Sequence, residues 1–392
     1  MRSVFTKSQQ AGAVLAVLLS TGAPAYAGAI ITQTNLVSNV AGLAAITDAD
    51  LVNPWGFSHS ATSPFWISNQ GTGTSTLYAV TGPTGTTVAK TNINAPSGHV
   101  LIPSAGTPSG PTGQVFSGPT GGFAVNNGGN GGKANFIFAN LNGTISAWNG
   151  GVSSFIQATV PGAVYTGLTI NQAANQLYAA NAATGGIDVF NSAFGQVVVA
   201  PGAFATPPAI AAKGLVPFNT QDIGGKVYVT YALAGRANQI AATGGQGAVA
   251  IFDENGLLLN TIVNGELASP WGVTIAPMGF GDFGNALLVG NFSFLESEIN
   301  AFDSVTGAFL GSIAIDTGSA DPGGLWQIGF GTGGSNGSPN TLYFTDGING
   351  ERGGLFGAIT AVPEPLTISL YCVGLMGLMG LAAMRRRKTK LA

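Results

Sequence analysis

The chain has 392 residues, of which 61 are glycine, 45% are hydrophobic and only 7% are charged. The glycines show no period of three, which excludes a collagen-like fibre, and the hydrophobic fraction excludes a disordered chain. Residues 28–363 contain six basic and 15 acidic side chains, a formal charge of −9, which argues against nucleic acid as a partner. Such a composition is typical of many short strands joined by turns.

The N-terminal residues 1–27 predict a signal peptide. A basic start precedes an apolar stretch at 11–19, and Ala25 and Ala27 are the small residues that a signal peptidase admits before its cut. We expect cleavage between Ala27 and Gly28. The apolar stretch is too short for a membrane-spanning helix, which needs ~20 residues.

A repeated pattern occupies the body of the chain, residues 28–361. Its copies open with small residues and then alternate apolar positions, as in Asn53-Pro54-Trp55-Gly56 and Ser269-Pro270-Trp271-Gly272. Equivalent positions in the six copies are taken as Phe57, Gln114, Leu168, Phe218, Val273 and Leu325. Each copy continues with short period-2 runs and Asn-Gly turns, which predicts about four strands per copy.

Six copies of about 50 residues predict an all-β, six-bladed β-propeller. A parallel β-helix is the rival architecture, but its coils are shorter than these repeats. After Ile359 the last copy has no room for a fourth strand, whereas residues 30–37 precede the first copy and have no blade of their own. We expect this N-terminal strand to pair as the outermost strand of the sixth blade, which closes the ring and removes an exposed edge.

One face of this propeller is the candidate ligand face. It would gather the loops that enter the innermost strands and the turns between the second and third strands. The loops contribute Trp55, Trp271 and Trp326, and the turns contribute Asn69, Asn140, Asn181, Asn291 and Asp346. Exposed indole rings beside amide groups suit sugar rings. The structural alternative is that Asn and Asp recur because turns favour them, and Trp because it wedges blades together.

Catalytic chemistry has little support in the sequence. His59 and His99 are the only histidines, so no His-based triad or zinc site is predicted, and no catalytic residue is assigned. Six-bladed lactonases of the gluconolactonase type hold a divalent metal with Glu, Asn and Asp, and the matching candidates here are Asp346, Asp222 and Asn181. No cofactor is predicted, and a divalent metal is left open.

The C-terminal tail, residues 362–392, combines three features in order. Val362-Pro363-Glu364-Pro365 precedes an uncharged run at 366–384, and Arg385, Arg386 and Arg387 follow it. The run is long enough for a single transmembrane helix, and its basic flank keeps that end in the cytoplasm. The body of the chain would therefore lie outside the cytoplasm.

This tail resembles the PEP-CTERM sorting signal of Gram-negative bacteria. The resemblance implies that an exosortase-type transpeptidase recognises Pro363, Glu364 and Pro365, removes the helix, and leaves the protein at the outer surface or in the extracellular space. Proteins with this signal usually accompany exopolysaccharide and biofilm production. The body resembles an uncharacterised Gly-rich propeller family often found with the same tail, which implies a fold and no particular activity.

These observations predict an exported, non-catalytic propeller that binds exopolysaccharide or another matrix partner after processing by signal peptidase and exosortase. One alternative is a metal-dependent hydrolase or lactonase-like enzyme, which converging acidic side chains on the channel axis would favour. Another is a purely structural surface component. An open groove lined by Trp and Asn would favour binding, and a channel plugged by apolar side chains would favour the structural role.

Overall fold

The computed structural model describes residues 30–362, apart from 105, 119–120 and 127–130. The predicted signal peptide, its cleavage site and the sorting tail from Pro363 onward lie outside the described residues. Within the described part of the chain, no helix has the length and apolar character needed to span a bilayer.

Six sheets of four or five strands confirm the six-bladed propeller. The chain begins with β1 (Ile30–Ser38) and β2 (Ile46–Thr47), which belong to the last sheet. The first sheet contains β3 (Pro54–Ser58), β4 (Phe65–Asn69), β5 (Thr74–Thr81), β6 (Thr87–Lys90) and β7 (His99–Leu101). The second contains β8 (Pro111–Phe116), then, after a hairpin of β9 (Ala124–Val125) and β10 (Gly132–Lys133), β11 (Phe136–Asn140), β12 (Thr144–Trp148) and β13 (Phe155–Thr159).

The remaining four sheets follow the same inner-to-outer order. The third contains β14 (Tyr165–Ile170), β15 (Gln176–Asn181), β16 (Gly186–Asn191) and β17 (Gln196–Val197). The fourth contains β18 (Leu215–Asp222), β19 (Lys226–Leu233), β20 (Gly247–Asp253) and β21 (Leu258–Ile262). The fifth contains β22 (Pro270–Ile275), β23 (Leu287–Asn291), β24 (Glu298–Phe302) and β25 (Phe309–Ala314). The sixth contains β26 (Leu325–Phe330), β27 (Thr341–Asp346) and β28 (Leu355–Val362), completed by β1 and β2.

The helical segments in the described residues are short connections between strands. They are α1 (Pro208–Ala211), α2 (Arg236–Ile240) and a single 3₁₀ turn (Gly281–Phe283). The loop that carries α2 joins the second and third strands of the fourth blade, and it places Arg236 at one end of the central channel.

The innermost strands form a closed ring around the channel, because each contacts the innermost strand of the next blade and β26 contacts β3. Glycine makes this close approach possible. A Cβ at Gly113 would collide with the backbone nitrogen of Leu168, and one at Gly272 with the carbonyl oxygen of Trp326. The Gly of the repeated step is therefore needed for room between neighbouring backbones.

Strand pairing corrects the expected alignment of two copies. In every blade the equivalent residue lies three positions after the last paired residue before the β-bulge of the innermost strand, and in the fourth and sixth blades this residue is Thr220 and Ile328. The sequence pattern had placed Phe218 and Leu325 there. Leu325 and Ile328 are both apolar, so hydrophobic alternation could not separate them, and in the fourth blade the pattern favoured the apolar Phe218 over the polar Thr220. The register is set instead by backbone hydrogen bonds.

The ring is closed as predicted. Strand β1 pairs antiparallel with β28, from Ile30 opposite Val362 to Ser38 opposite Leu355. The segment after β2 is then held to the first blade, because Asp48 accepts a hydrogen bond from Tyr78 (2.7 Å) and pairs with Lys90 (2.7 Å). Burial by itself would raise the pKa of Asp48, but these two partners outweigh it and the pKa is lowered.

Apolar side chains fill the space between blades. Each pair of neighbouring blades has its own buried cluster, such as Phe57, Phe65 and Phe356 between the first and sixth blades. A further cluster, described below, lies on the channel axis. Because each sheet buries both faces against its neighbours, no blade has a separate core, and the ring has to form as a whole.

Candidate functional site

The three tryptophans of the candidate ligand face do come together, but they are buried. The rings of Trp55 and Trp326 stack with their centroids 3.5 Å apart, and Trp271 meets Trp55 edge-on at 6.1 Å. Their exposed fractions are 3%, 0% and 1% for Trp55, Trp326 and Trp271. The expectation of exposed indole faces is therefore wrong.

These rings form an aromatic plug on the channel axis, together with Phe218 and Phe292. The reason is geometric: Trp55, Trp271 and Trp326 are each the second residue of an innermost strand, where neighbouring strands approach closely, and Phe292 follows the second strand of the fifth blade. Two of the indole N–H groups are satisfied: Trp326 donates to Asn53 Oδ1 (2.9 Å) and Trp271 to the carbonyl of Thr166 (2.8 Å). The Nε1 of Trp55 is buried and has no hydrogen-bond partner.

The asparagines of the candidate face have structural roles. Asn291 Oδ1 accepts from the backbone N–H of Ala268 (3.0 Å), and Asn181 Oδ1 accepts from that of Val164 (3.2 Å), in each case just before an innermost strand. Asn69 donates to Thr74 and Thr76, and Asn140 to the carbonyl of Thr144. All four side chains are buried, so they hold loops in place instead of facing a ligand.

Asp346 occupies the corresponding position in the sixth blade and differs from the asparagines. It is fully buried, and neither carboxylate oxygen has a hydrogen-bond partner. Burial raises its pKa to about 7, because a charged carboxylate without partners is poorly solvated there.

The arginine mouth is the channel end next to the aromatic plug, and we define it by Asn53, Gln70, Arg236, Gln239 and Glu351. These residues border a cavity of about 400 Å³. Glu351 Oε2 accepts a hydrogen bond from Arg236 Nε (3.0 Å), and Glu351 Oε1 accepts from Arg236 Nη2 and from Asn53 Nδ2 (3.0 Å). This ion pair crosses the ring, since Arg236 comes from the fourth blade and Glu351 from the sixth.

Arg236 also covers the plug. Its guanidinium carbon lies 3.9 Å from the ring centre of Phe292 and 4.8 Å from that of Trp326. Burial lowers its pKa to about 9, so the side chain remains a cation at neutral pH. Asn53 and Glu351 both adopt positive φ (46° and 67°), a conformation that costs free energy in non-glycine residues.

The amide mouth is the opposite end of the channel, and we define it by Gln114, Gln172, Gln221, Asp222 and Gln327. It borders a second cavity of about 410 Å³, which all six blades line and which shares no residue with the first. Oxygen atoms without partners lie on three of its lining residues, namely Ser58 Oγ, Gln114 Oε1 and Asp222 Oδ2. The cavity therefore has unused hydrogen-bond acceptors on the first, second and fourth blades.

Asp222 is the charged group of this mouth. Its Oδ1 accepts hydrogen bonds from Gln172 Nε2 and from the backbone N–H of Gly225 (3.1 Å). Burial raises its pKa, the hydrogen bond from Gln172 opposes that rise, and the nearby Glu254 carboxylate adds to it.

The three metal candidates are not brought together. Asp222 ends an innermost strand at the amide mouth, whereas Asn181 and Asp346 end second strands at the arginine-mouth end of their sheets. Among the described residues, no three His, Cys, Asp or Glu side chains are grouped as metal ligands would be.

Sequence reasoning did not select Arg236, Glu351 or the four glutamines of the amide mouth. Arg236 was recognisable as one of only six basic residues in the body of the chain. The four glutamines occupy four different positions in the repeated pattern, so no repeated signature marks them.

The geometry defines the class of protein as a six-bladed β-propeller whose central channel ends in two separate, chemically different mouths. Compared with models of known protein families, the chain matches none. It is 31% identical over 297 residues to "Uncharacterized protein R648" of Acanthamoeba polyphaga mimivirus, covering 72% of this chain and 69% of that protein. It is 30% identical to "Uncharacterized protein L690" of the same virus, covering 72% and 74%.

The chain therefore belongs to the protein family that includes these two viral proteins. Among solved structures, a streptogramin B lyase is similar with a TM-score of 0.51 and 11% sequence identity, over 86% of this chain and 99% of that one. At this identity the likeness shows the propeller fold alone.

Proposed function

We propose that this protein is a non-catalytic binding propeller whose amide mouth holds a hydroxyl-rich polymer, an exopolysaccharide. The observation that carries the proposal is the set of oxygen atoms without partners on Ser58, Gln114 and Asp222, three residues that line one cavity. The three atoms are buried beneath the cavity surface, so a ligand would reach them once these side chains rotate toward it. Buried acceptors without partners are costly, and a ligand that donates several O–H groups would satisfy them. Sugar hydroxyls have this chemistry.

Export of the chain belongs to the same proposal. The sequence patterns at 1–27 and 362–392, which predict a signal peptide and a sorting tail, support processing by signal peptidase and an exosortase-type enzyme, with transient anchoring through the helix predicted at 366–384. The mature propeller would lie at the outer surface of a Gram-negative cell or in the extracellular matrix. There it would meet polysaccharide in abundance.

A structural role at the cell surface is the second candidate. It is favoured by the aromatic plug, which fills the arginine-mouth end of the channel with side chains that hold the blades together. In that case the propeller would be a rigid, weakly charged structural component of the cell surface, and the amide mouth would bind no sugar.

Binding of the purified protein to dextran and to the exopolysaccharide of its host cell tests the first candidate against the second. We expect saturable binding that Asp222→Asn weakens about fivefold, because the acceptor loses its charge and with it about 1 kcal/mol. Gln157→Leu, on the outer strand β13, is the matched control and should bind normally. Absence of binding to both polysaccharides would contradict the binding role. If Asp222→Asn binds as tightly as the unmodified protein, the amide mouth is not the binding site.

A further inference from the structure

The arginine mouth is lined by apolar as well as charged side chains. Leu141, Val164, Ala182 and Ala183 come from the second and third blades, whereas Arg236 and Glu351 come from the fourth and sixth. The cavity volume of about 400 Å³ falls within the range of small-molecule sites. The cavity can therefore accept a compact body with an apolar face.

The side-chain acceptors of this mouth are already used. Both oxygens of Glu351 accept from Arg236, Asn53 Oδ1 accepts from Trp326, and Gln70 Oε1 accepts from Asn53 (2.8 Å). The Nη1 of Arg236 also reaches Gln239 Oε1 at 3.4 Å. Each of these acceptors thus has at least one donor within the protein, so the need for a ligand that only donates hydrogen bonds is small.

Donors, in contrast, are in surplus. Trp55 lines the cavity, and its buried Nε1–H has no partner. Arg236 has five N–H groups, of which three donate to Glu351 and Gln239, which leaves two for an incoming acceptor. An unpaired indole N–H in a buried setting calls for an acceptor.

We infer that the arginine mouth is a second ligand site, for a compact uncharged molecule that joins an apolar body to a carbonyl oxygen. The carbonyl would accept from Arg236 and from Trp55 Nε1, whose buried position requires the indole ring to shift when the ligand enters, and the apolar body would lie against Leu141 and Val164. An anion is disfavoured because the Glu351 carboxylate borders the site and residues 28–363 carry a formal charge of −9. A cation is also disfavoured, because it would meet the N–H donors of Arg236 and Trp55 instead of hydrogen-bond acceptors.

The test uses the full-length protein with ¹⁵N-labelled tryptophan, whose five indole N–H groups are observed by NMR during titration with N-acetyl-leucinamide. The Trp55 signal is the one missing from Trp55→Phe. We expect this signal to move saturably in the unmodified protein and to stay in place in Leu141→Trp, where the larger side chain fills the cavity. N-acetyl-leucine, which has the same body and a carboxylate, should bind more weakly.

Affinity supplies a second readout. Trp55→Phe keeps an aromatic ring but lacks the N–H, so it should bind the amide about fivefold more weakly, the loss of one hydrogen bond. Trp148→Phe is the matched control with full affinity, because that indole donates to Gly151 (2.9 Å) outside the cavity. A Trp55 signal that does not move, or that moves equally in Leu141→Trp, would overturn the inference. Because the two mouths share no residue, dextran should leave the Trp55 signal unchanged whether or not it binds elsewhere.

Discussion

The two mouths lie at opposite ends of the ring of innermost strands, yet their chemistry is reversed. At the arginine mouth, aromatic rings fill the axis, acceptors are paired and donors remain free. At the amide mouth, glutamine and aspartate side chains surround an open cavity in which acceptors remain free. Strands of one repeated pattern thus produce two sites that suit different ligands.

The difference follows from the position of each side chain relative to the glycine step. At the second residue of the inner strands the backbones are so close that large rings such as Trp55 and Trp326 stack against each other and exclude water. Beyond the glycine step the polar ends of the strands border solvent. One short strand therefore contributes to stability at one end and to recognition at the other.

The largest effect is expected from removing a ring of the plug. Trp326→Ala should lower the free energy of unfolding by about 3–5 kcal/mol, because it empties a fully buried space between blades. Its neighbour Gln327 faces the amide mouth and donates to Ile328 (3.1 Å), so Gln327→Ala should cost only about 1 kcal/mol. Urea unfolding measures the free energy of unfolding of both variants. Equal losses in the two variants would show that the arginine-mouth end contributes no more to stability than the amide-mouth end.

The two perturbed carboxyls provide the next comparison. Asp346 has a folded-state pKa of about 7 against an ordinary value of 3.8, so its ionisation destabilises the fold as pH rises between these values. Asp346→Asn should therefore stabilise the protein by up to about 4 kcal/mol at pH 8 and by little near pH 4. Asp222→Asn should stabilise the protein much less at pH 8, because the Asp222 carboxylate already accepts hydrogen bonds from Gln172 and Gly225. Thermal unfolding of both variants between pH 4 and pH 8 measures these differences. A stabilisation by Asp346→Asn that does not change with pH would contradict the raised pKa of Asp346.

The cross-ring ion pair should have a smaller effect. Arg236→Met removes the partner of Glu351, whose side chain is only 17% exposed, and should destabilise the fold by about 1–3 kcal/mol. Glu351→Gln should restore part of this loss in the double variant, since no unpaired carboxylate then remains. A double-mutant cycle in urea gives the coupling, and strictly additive losses would mean that the pair contributes nothing.

The smallest expected effect is the pH dependence of sugar binding at the amide mouth. The ionised form of Asp222 is the stronger acceptor, and its pKa is raised by burial, so affinity should increase a few-fold as pH rises through that pKa. Asp222→Asn should bind without this dependence. Affinity that falls with rising pH would show that another group controls the site.

Much of the architecture was readable from the sequence because it depends on local patterns. Six copies, about four strands in each, and closure by residues 30–37 all follow from alternation, turn residues and the missing last strand. Two alignment positions were misplaced, at Phe218 and Leu325. Leu325 and Ile328 are both apolar, and in the fourth blade the apolar Phe218 was preferred to the polar Thr220, whereas backbone pairing selects Ile328 and Thr220. Neither site was located, since its members come from different blades.

The sequence by itself determined the class of fold, the closing strand and the end of each blade at which Trp55, Trp271, Trp326 and the strand-ending asparagines lie. Only the tertiary structure decided that these residues are buried, that Arg236 meets Glu351 across the ring, and that glutamines gather at the other end. The physical reason is that period and turn chemistry act within a few residues of chain. Burial and convergence on an axis depend on how closely six separate sheets approach one another.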